Sequence, residues 1–377
     1  MKAIKISKVF IEPVNVPLEE PFRIAIGTKY SIENALVTVV LDNGIEGYGE
    51  AAPLEPINGE NQATVLATLN SCVDFIKGKE ITDYRAISAT LRGVFWAQIT
   101  ARCAIEMALL DAYAKVLDIP LYQFFGGAGN RAETDYTIDI VPPETAKANA
   151  AKLAKAGYTV LKTKVGKKLT DDIDRLLAIK EGAPHCGLTI DANQGYSPCE
   201  AVHFIEEMGK NNIRPILFEQ PVSRYDLLGM RFVKDHTSIP IAADESVFTS
   251  ADAINVVRTG CADYINIKLM KSGIIEAMDI AAIARSANIK LMIGCMLETK
   301  LALGCSVHFA AGMGCFSHID LDPHIEPDME PFTGGPDYKA PFYTLSPGSP
   351  GDRLQEEVII FFCGGSLFVN YDLCDCL

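Results

Sequence analysis

The sequence predicts an α/β protein: a modified (β/α)8 barrel of the TIM type, preceded by an α+β N-terminal capping domain. Three observations carry this. From Thr134 onward, short apolar runs alternate with helical stretches eight times in a little under 200 residues. Ionisable residues stand at the carboxyl ends of these runs, one β/α unit apart. The first 125 residues follow a different pattern, with strands first and helices after.

In that first part, Ile4 to Val16 and Ala35 to Leu41 alternate as strands, and the turn Asp42-Asn43-Gly44 leads into Ile45 to Glu50. A three-stranded meander is expected. Asn61 to Lys77, Asp83 to Val94 and Thr100 to Leu117 then carry apolar residues at helical spacing. The expected barrel strands are 134–140, 160–165, 187–192, 216–221, 239–244, 264–269, 290–296 and 318–322. Helices are expected between them, such as Glu144 to Ala156, Asp171 to Glu181, Pro198 to Asn211 and Ser272 to Ala287. The chain divides into a capping domain, 1–125, a barrel, 126–325, and a C-terminal segment, 326–377, expected to return to the capping domain. In that segment the apolar run Val358 to Val369 is too short to span a bilayer and reads as a returning strand.

Composition narrows the function. A net charge of −14 without a basic stripe gives a phosphate backbone nothing to bind, so nucleic acid is not expected as a partner. Hydrophobic residues at 49% and charged residues at 22% describe a globular chain with a sizeable core and no membrane span. Met1 to Glu20 holds regular charges, Pro13 and Pro17, and no signal-like apolar stretch, which points to the cytoplasm. The eleven cysteines are scattered and odd in number, as free thiols are in a reducing compartment. A homo-oligomer stays open.

The strand ends hold the chemistry. They carry Lys162 and Lys164 (second strand), Asp191 (third), Glu219 (fourth), Asp244 (fifth), Lys268 (sixth), Glu298 (just past the seventh), and Asp320 and Asp322 (eighth). From Lys164 to Lys268 the steps are 24 to 28 residues, so these groups share one height of the barrel. A lone Asp191 could be a helix cap. Three acids in register would repel one another unless a cation held them, and an all-oxygen set selects a hard ion, Mg²⁺ or Mn²⁺. Lys162 and Lys164 share a strand face, and Lys268 stands four strands away across the barrel. A substrate between them meets an ammonium on each side. To act as bases these lysines need lowered pKa values, which the cation and the second lysine both favour. Such parts suit proton removal beside a carboxylate, with the metal offsetting the charge of the enediolate.

The stretches Leu161-Lys162-Thr163-Lys164, Asp191-Ala192-Asn193, Phe218-Glu219-Gln220-Pro221, Ala243-Asp244-Glu245-Ser246, Ile265 to Lys271 and Gly294 to Thr299 carry a family likeness. The chain resembles the enolase superfamily, specifically its muconate-lactonizing subgroup and, within it, the dipeptide epimerases. The resemblance implies Asp191, Glu219 and Asp244 as Mg²⁺ ligands and Lys164 and Lys268 as paired acid/base catalysts. It also implies Lys162, Thr137 and Glu298 among the substrate contacts, with Asn193 and Glu245 as supports. Asp320-Leu321-Asp322 matches the pattern that receives a dipeptide's ammonium group. The expected activity is a Mg²⁺-dependent 1,1-proton transfer at the Cα of the C-terminal residue of a dipeptide. The same lysines and metal serve o-succinylbenzoate synthases, muconate cycloisomerases and N-acylamino acid racemases, whose substrates lack the ammonium. A barrel that binds without catalysis is the remaining class, and it would not need the full set of acids and lysines. Gly27 stands where L-Ala-D/L-Glu epimerases carry an arginine for the glutamate side chain, so side-chain preference stays open.

Overall fold

A computed structural model describes residues 3–24, 27–325 and 328–345; of 19–28, no side chain is described. Strands β1 (Ile6–Ile24), β2 (Gly27–Leu41) and β3 (Glu46–Ala51) form the expected antiparallel meander. β1 and β2 run further toward their hairpin than the alternation predicted. The pairing crosses a register irregularity between Pro17 and Phe22, where Glu19, Glu20 and Pro21 break the apolar pattern without ending the ladder.

Both faces of β2 are covered. Ala35, Val37, Val39 and Leu41 pack with Val65 and Leu69 of the helix Gln62–Ile76, whereas Ile32 and Leu36 join the other, larger core. Burying each valine or leucine contributes about 1.5–3 kcal/mol. The helix Ile99–Val116 lies directly on β3. Glycine permits this approach: a Cβ on Gly49 would fall 2.0 Å from the Ala104 carbonyl oxygen, and one on Gly47 2.2 Å from that of Ala108.

After β4 (Arg131–Glu133) come the barrel strands β5 (Tyr136–Ile138), β6 (Val160–Lys164), β7 (Gly187–Asp191), β8 (Leu217–Glu219), β9 (Ile241–Ala243), β10 (Tyr264–Ile267), β11 (Lys290–Gly294) and β12 (Phe316–Asp320). All eight are parallel neighbours in chain order. The first and last meet where Asp135 N donates to Ile319 O at 2.9 Å and Leu321 N to Thr134 Oγ1 at 2.8 Å. Each strand falls within its expected window or overlaps most of it. All eight end one or two residues early, which leaves Asp244, Lys268 and Asp322 in the loops just beyond.

Two buried acids of the capping domain dock it onto barrel helices. Glu50 accepts from Thr299 N (3.0 Å), Thr299 Oγ1 (2.5 Å) and Ala302 N (3.0 Å) at the start of the helix Lys300–Met313. Glu106 accepts from Ile274 N (2.6 Å) and Ile275 N (3.1 Å) at the start of the helix Ile274–Ser286. A helix N-terminus offers unpaired N–H groups and a favourable dipole, which offsets much of the cost of burying a carboxylate. Burial still leaves both acids above their ordinary pKa.

Strands β13 (Asp337–Lys339) and β14 (Phe342–Thr344) form a hairpin on β4, at the head of the barrel segment. The run Val358 to Val369 lies outside the described residues. Among the described residues no helix is long and apolar enough to cross a membrane.

Candidate active site

The strand register brings the acids together. Lys164 pairs with Asp191, and Asp191 with Glu219, so three site residues form one row across β6, β7 and β8. Asp244 follows β9, and its loop is held by Gln220, whose Oε1 accepts from Asp244 N (2.9 Å) and Ser246 N (3.2 Å). Carboxylate oxygens of Asp191, Glu219 and Asp244 lie within 4.8 Å of one another, and all three residues are fully buried. Asp191 is no helix cap; its Oδ1 accepts from Asn193 N at 2.8 Å in the loop after β7.

These residues fit a hard divalent cation. The donors are oxygens only and carry excess negative charge out of water's reach. Beside them Asn193 Oδ1 and Glu245 Oε2 are buried without a hydrogen-bond partner, while Asn193 Nδ2 reaches both Asp191 Oδ2 and Glu245 Oε1 at 3.3 Å. Burial and the neighbouring Asp191 push the Glu219 carboxyl up to about 8. Burial and Asp244 push Glu245 to about 7. Such crowding is what a bound cation relieves.

Lysines surround the trio. Lys164 Nζ lies 2.7 Å from Asp191 Oδ2, and Lys268 Nζ 3.0 Å from Asp244 Oδ2. Both line a cavity at the carboxyl end of the barrel, with Thr137, Asn193, Asp320 and Asp322, under Leu54 and Ile57 of the capping domain. Lys162 does not reach that cavity. Its fully buried ammonium holds Glu219 Oε2 (2.6 Å), Asp320 Oδ2 (2.7 Å) and Asp191 Oδ2 (3.2 Å), so in this structure it compensates carboxylates. Burial pulls the Lys268 pKa down, but Asp244 and Glu219 outweigh this and hold it raised. The lowering expected from the sequence belongs to the site with its cation in place, where the acids' charge is shared with the ion.

Asp320 and Asp322 are not equivalent. Asp320 is tied to Lys162, which contributes to keeping its carboxyl low against burial. Asp322 accepts from a peptide donor, Thr137 N at 2.9 Å, and burial raises its pKa. Glu298 does not line the cavity: its Oε1 accepts from Met296 N at 2.9 Å within its own loop, and burial pushes it to about 8.

Other residues of the site were not anticipated. Lys271 is buried in the turn after Lys268 and sets its ammonium 2.6 Å from Asp244 Oδ1, also donating to Val247 O and Asn266 O. Asn266 Nδ2 donates to Glu219 Oε1 at 2.7 Å. Asp135 is buried beside Asp320, and burial with that neighbour raises its pKa well above the usual range. Asn266 and Lys271 lie within the stretch that carries the family likeness, but nothing in their spacing marked them.

A parallel barrel with a buried carboxylate trio between two cavity lysines defines a class of metal-assisted acid/base enzymes. Residues 6–126 match the N-terminal domain of the mandelate racemase/muconate lactonizing enzymes, and residues 145–351 match the enolase C-terminal domain-like family. The chain therefore belongs to the enolase superfamily, in its mandelate racemase/muconate lactonizing branch. It is 37% identical over 352 residues to the L-Ala-D/L-Glu epimerase of Bacillus subtilis, covering 92% of this chain and 96% of that protein. A substrate-liganded structure of the Bacillus subtilis L-Ala-D/L-Glu epimerase superposes with a TM-score of 0.89 at 37% identity, covering 93% of this chain and 98% of the other. The dipeptide epimerase of Enterococcus faecalis, complexed with Mg and the dipeptide L-Leu-L-Tyr, gives 0.87 at 36% identity, covering 91% and 97%.

Proposed function

We propose that this chain is a Mg²⁺-dependent dipeptide epimerase, an isomerase that inverts the Cα of a dipeptide's C-terminal residue. The observation that carries the reading is the polarity of one cavity, which has Lys164 and Lys268 on its wall beside the carboxylate trio and the Asp322 carboxylate at its other side. A zwitterion fits that polarity, its carboxylate toward the lysines and its ammonium toward Asp322.

Asp191, Glu219 and Asp244 would hold Mg²⁺, which when bound would supply positive charge to offset that of the substrate carboxylate. The protein does the rest. Lys164 and Lys268, from strands on opposite sides of the barrel, flank the Cα. One lysine takes the Cα proton, the C–H electron pair passes into the carboxylate as an enediolate, and the other lysine returns a proton to the opposite face. Lys162 stays below, balancing Asp191, Glu219 and Asp320. The capping-domain residues Leu54 and Ile57 roof the cavity and limit water near the reacting carbon. We place this reaction in the cytoplasm, supported by eight described cysteines standing as free thiols, most of them buried.

Asp322→Asn tests the substrate class. An ammonium–carboxylate contact contributes about 1.5–3 kcal/mol. The variant should lose about ten- to a hundredfold in kcat/KM for free dipeptides. An N-acetyl dipeptide should be a poor substrate for the native protein and suffer little from the substitution. Equal turnover of free and N-acetyl dipeptides by the native protein would replace this reading with N-acylamino acid racemisation.

A further inference from the structure

We propose a second metal site at the cavity's edge, formed by Cys295, Asp322 and His324, that takes Zn²⁺ or another borderline divalent ion and shuts the cavity to substrate. Cys295 is the first residue beyond β11, while Asp322 and His324 lie in the loop after β12. These strands are neighbours, with Gly294 paired to Asp320, so the two loops leave the barrel side by side. The Cys295 sulfur, an Asp322 carboxylate oxygen and a His324 ring nitrogen fall within 4.8 Å of one another. All three residues line the cavity, the first two buried and the third half-buried.

The separations suit coordination. With Zn–S about 2.3 Å and Zn–N about 2.0 Å, two ligands of a tetrahedral ion stand about 3.5 Å apart. Cys295 Sγ lies 3.8 Å from His324 Nε2, so a small side-chain adjustment brings both to bonding distance. Asp322 Oδ2 accepts the Thr137 N–H at 2.9 Å, and a ligating carboxylate is normally oriented by such a hydrogen bond. A fourth position remains for water.

The donor types separate this site from the first. Three carboxylates select a hard ion, whereas thiolate, imidazole and one carboxylate select a softer one. Coordination forms a metal–sulfur bond and releases the thiol proton to solvent, with no change of oxidation state. The site shares Asp322 with the position assigned to the dipeptide ammonium. Bound Zn²⁺ would thus compete with substrate, a consequence that rests on the dipeptide reading, whereas the metal site itself does not.

The test uses the full chain in excess Mg²⁺, so that the carboxylate trio is filled, and titrates it with Co²⁺. A thiolate-to-cobalt charge-transfer band should grow in the near ultraviolet to one equivalent and be abolished by Zn²⁺. Cys295→Ser should remove the band, and His324→Gln, at a half-buried position, should weaken Co²⁺ binding by more than roughly tenfold. In activity assays Zn²⁺ should raise KM for a free dipeptide without lowering kcat. A missing band, or one that Cys295→Ser leaves unchanged, overturns the metal site. A band with the expected dependence but no competition with dipeptide upholds the site and overturns the placement of the ammonium on Asp322.

Discussion

Asp244→Asn is expected to lower kcat/KM by at least roughly a thousandfold, the scale reached when a main electrostatic contact to the transition state is removed. Asp244 is one of three oxygen donors, and an amide in its place removes a full negative charge from the set. The same change leaves Lys268 and Lys271, at 3.0 and 2.6 Å, facing a neutral group. Losing one partner of a buried ion pair costs about 3–5 kcal/mol, so the thermal midpoint should fall. The fold should survive, because Gln220 grips the backbone of this loop and Lys271 also donates to Val247 O and Asn266 O. Calorimetric titration with Mg²⁺, alongside far-ultraviolet circular dichroism, separates the two effects. Native-like dichroism with lost Mg²⁺ affinity is the expected result; unchanged affinity would remove Asp244 from the ligand set. In the native protein, excess chelator should abolish activity, and Mg²⁺ or Mn²⁺ should restore it.

Lys164→Ala and Lys268→Ala should each stop epimerisation, with losses of about a hundred- to ten-thousandfold. Neither should collapse the site. Without Lys164, Asp191 keeps Lys162 at 3.2 Å; without Lys268, Asp244 keeps Lys271 at 2.6 Å. Each variant retains the lysine of the opposite face and should exchange the Cα hydrogen of one stereoisomer with D₂O without inverting it. The two variants should act on opposite isomers. If Lys164→Ala exchanged both, the division of faces between these lysines would be wrong.

The sequence shows the barrel strands clearly because each is a short apolar run bounded by polar turns, and it shows the trio because acids recur at one β/α interval. Height within the barrel is less legible. Alternation correctly puts Lys162 and Lys164 on one face, but two residues of strand is about 6.6 Å, enough to sink Lys162 beneath the cavity floor. Loop shape is less legible still. Glu298 stands just past a strand end and the resemblance implies a substrate contact for it, yet its loop turns the carboxylate onto Met296 N. His324 drew no attention because two residues after Asp322 says little about which neighbour a loop will bring near. Glu50 and Glu106 show the strongest limit. Nothing around them in the chain reveals that each will meet a helix N-terminus about 170 to 250 residues away. Gly27, on which the question of glutamate preference turns, belongs to the segment whose side chains are not described.

The most direct measurement is proton NMR of the native protein with Mg²⁺ in D₂O, following the Cα resonances of a set of free dipeptides, their N-acetyl forms and a succinyl-hydroxycyclohexadiene carboxylate. The account predicts loss of the C-terminal residue's Cα signal together with appearance of the epimer, for free dipeptides above all. Turnover of the cyclohexadiene with no exchange in any dipeptide would contradict it.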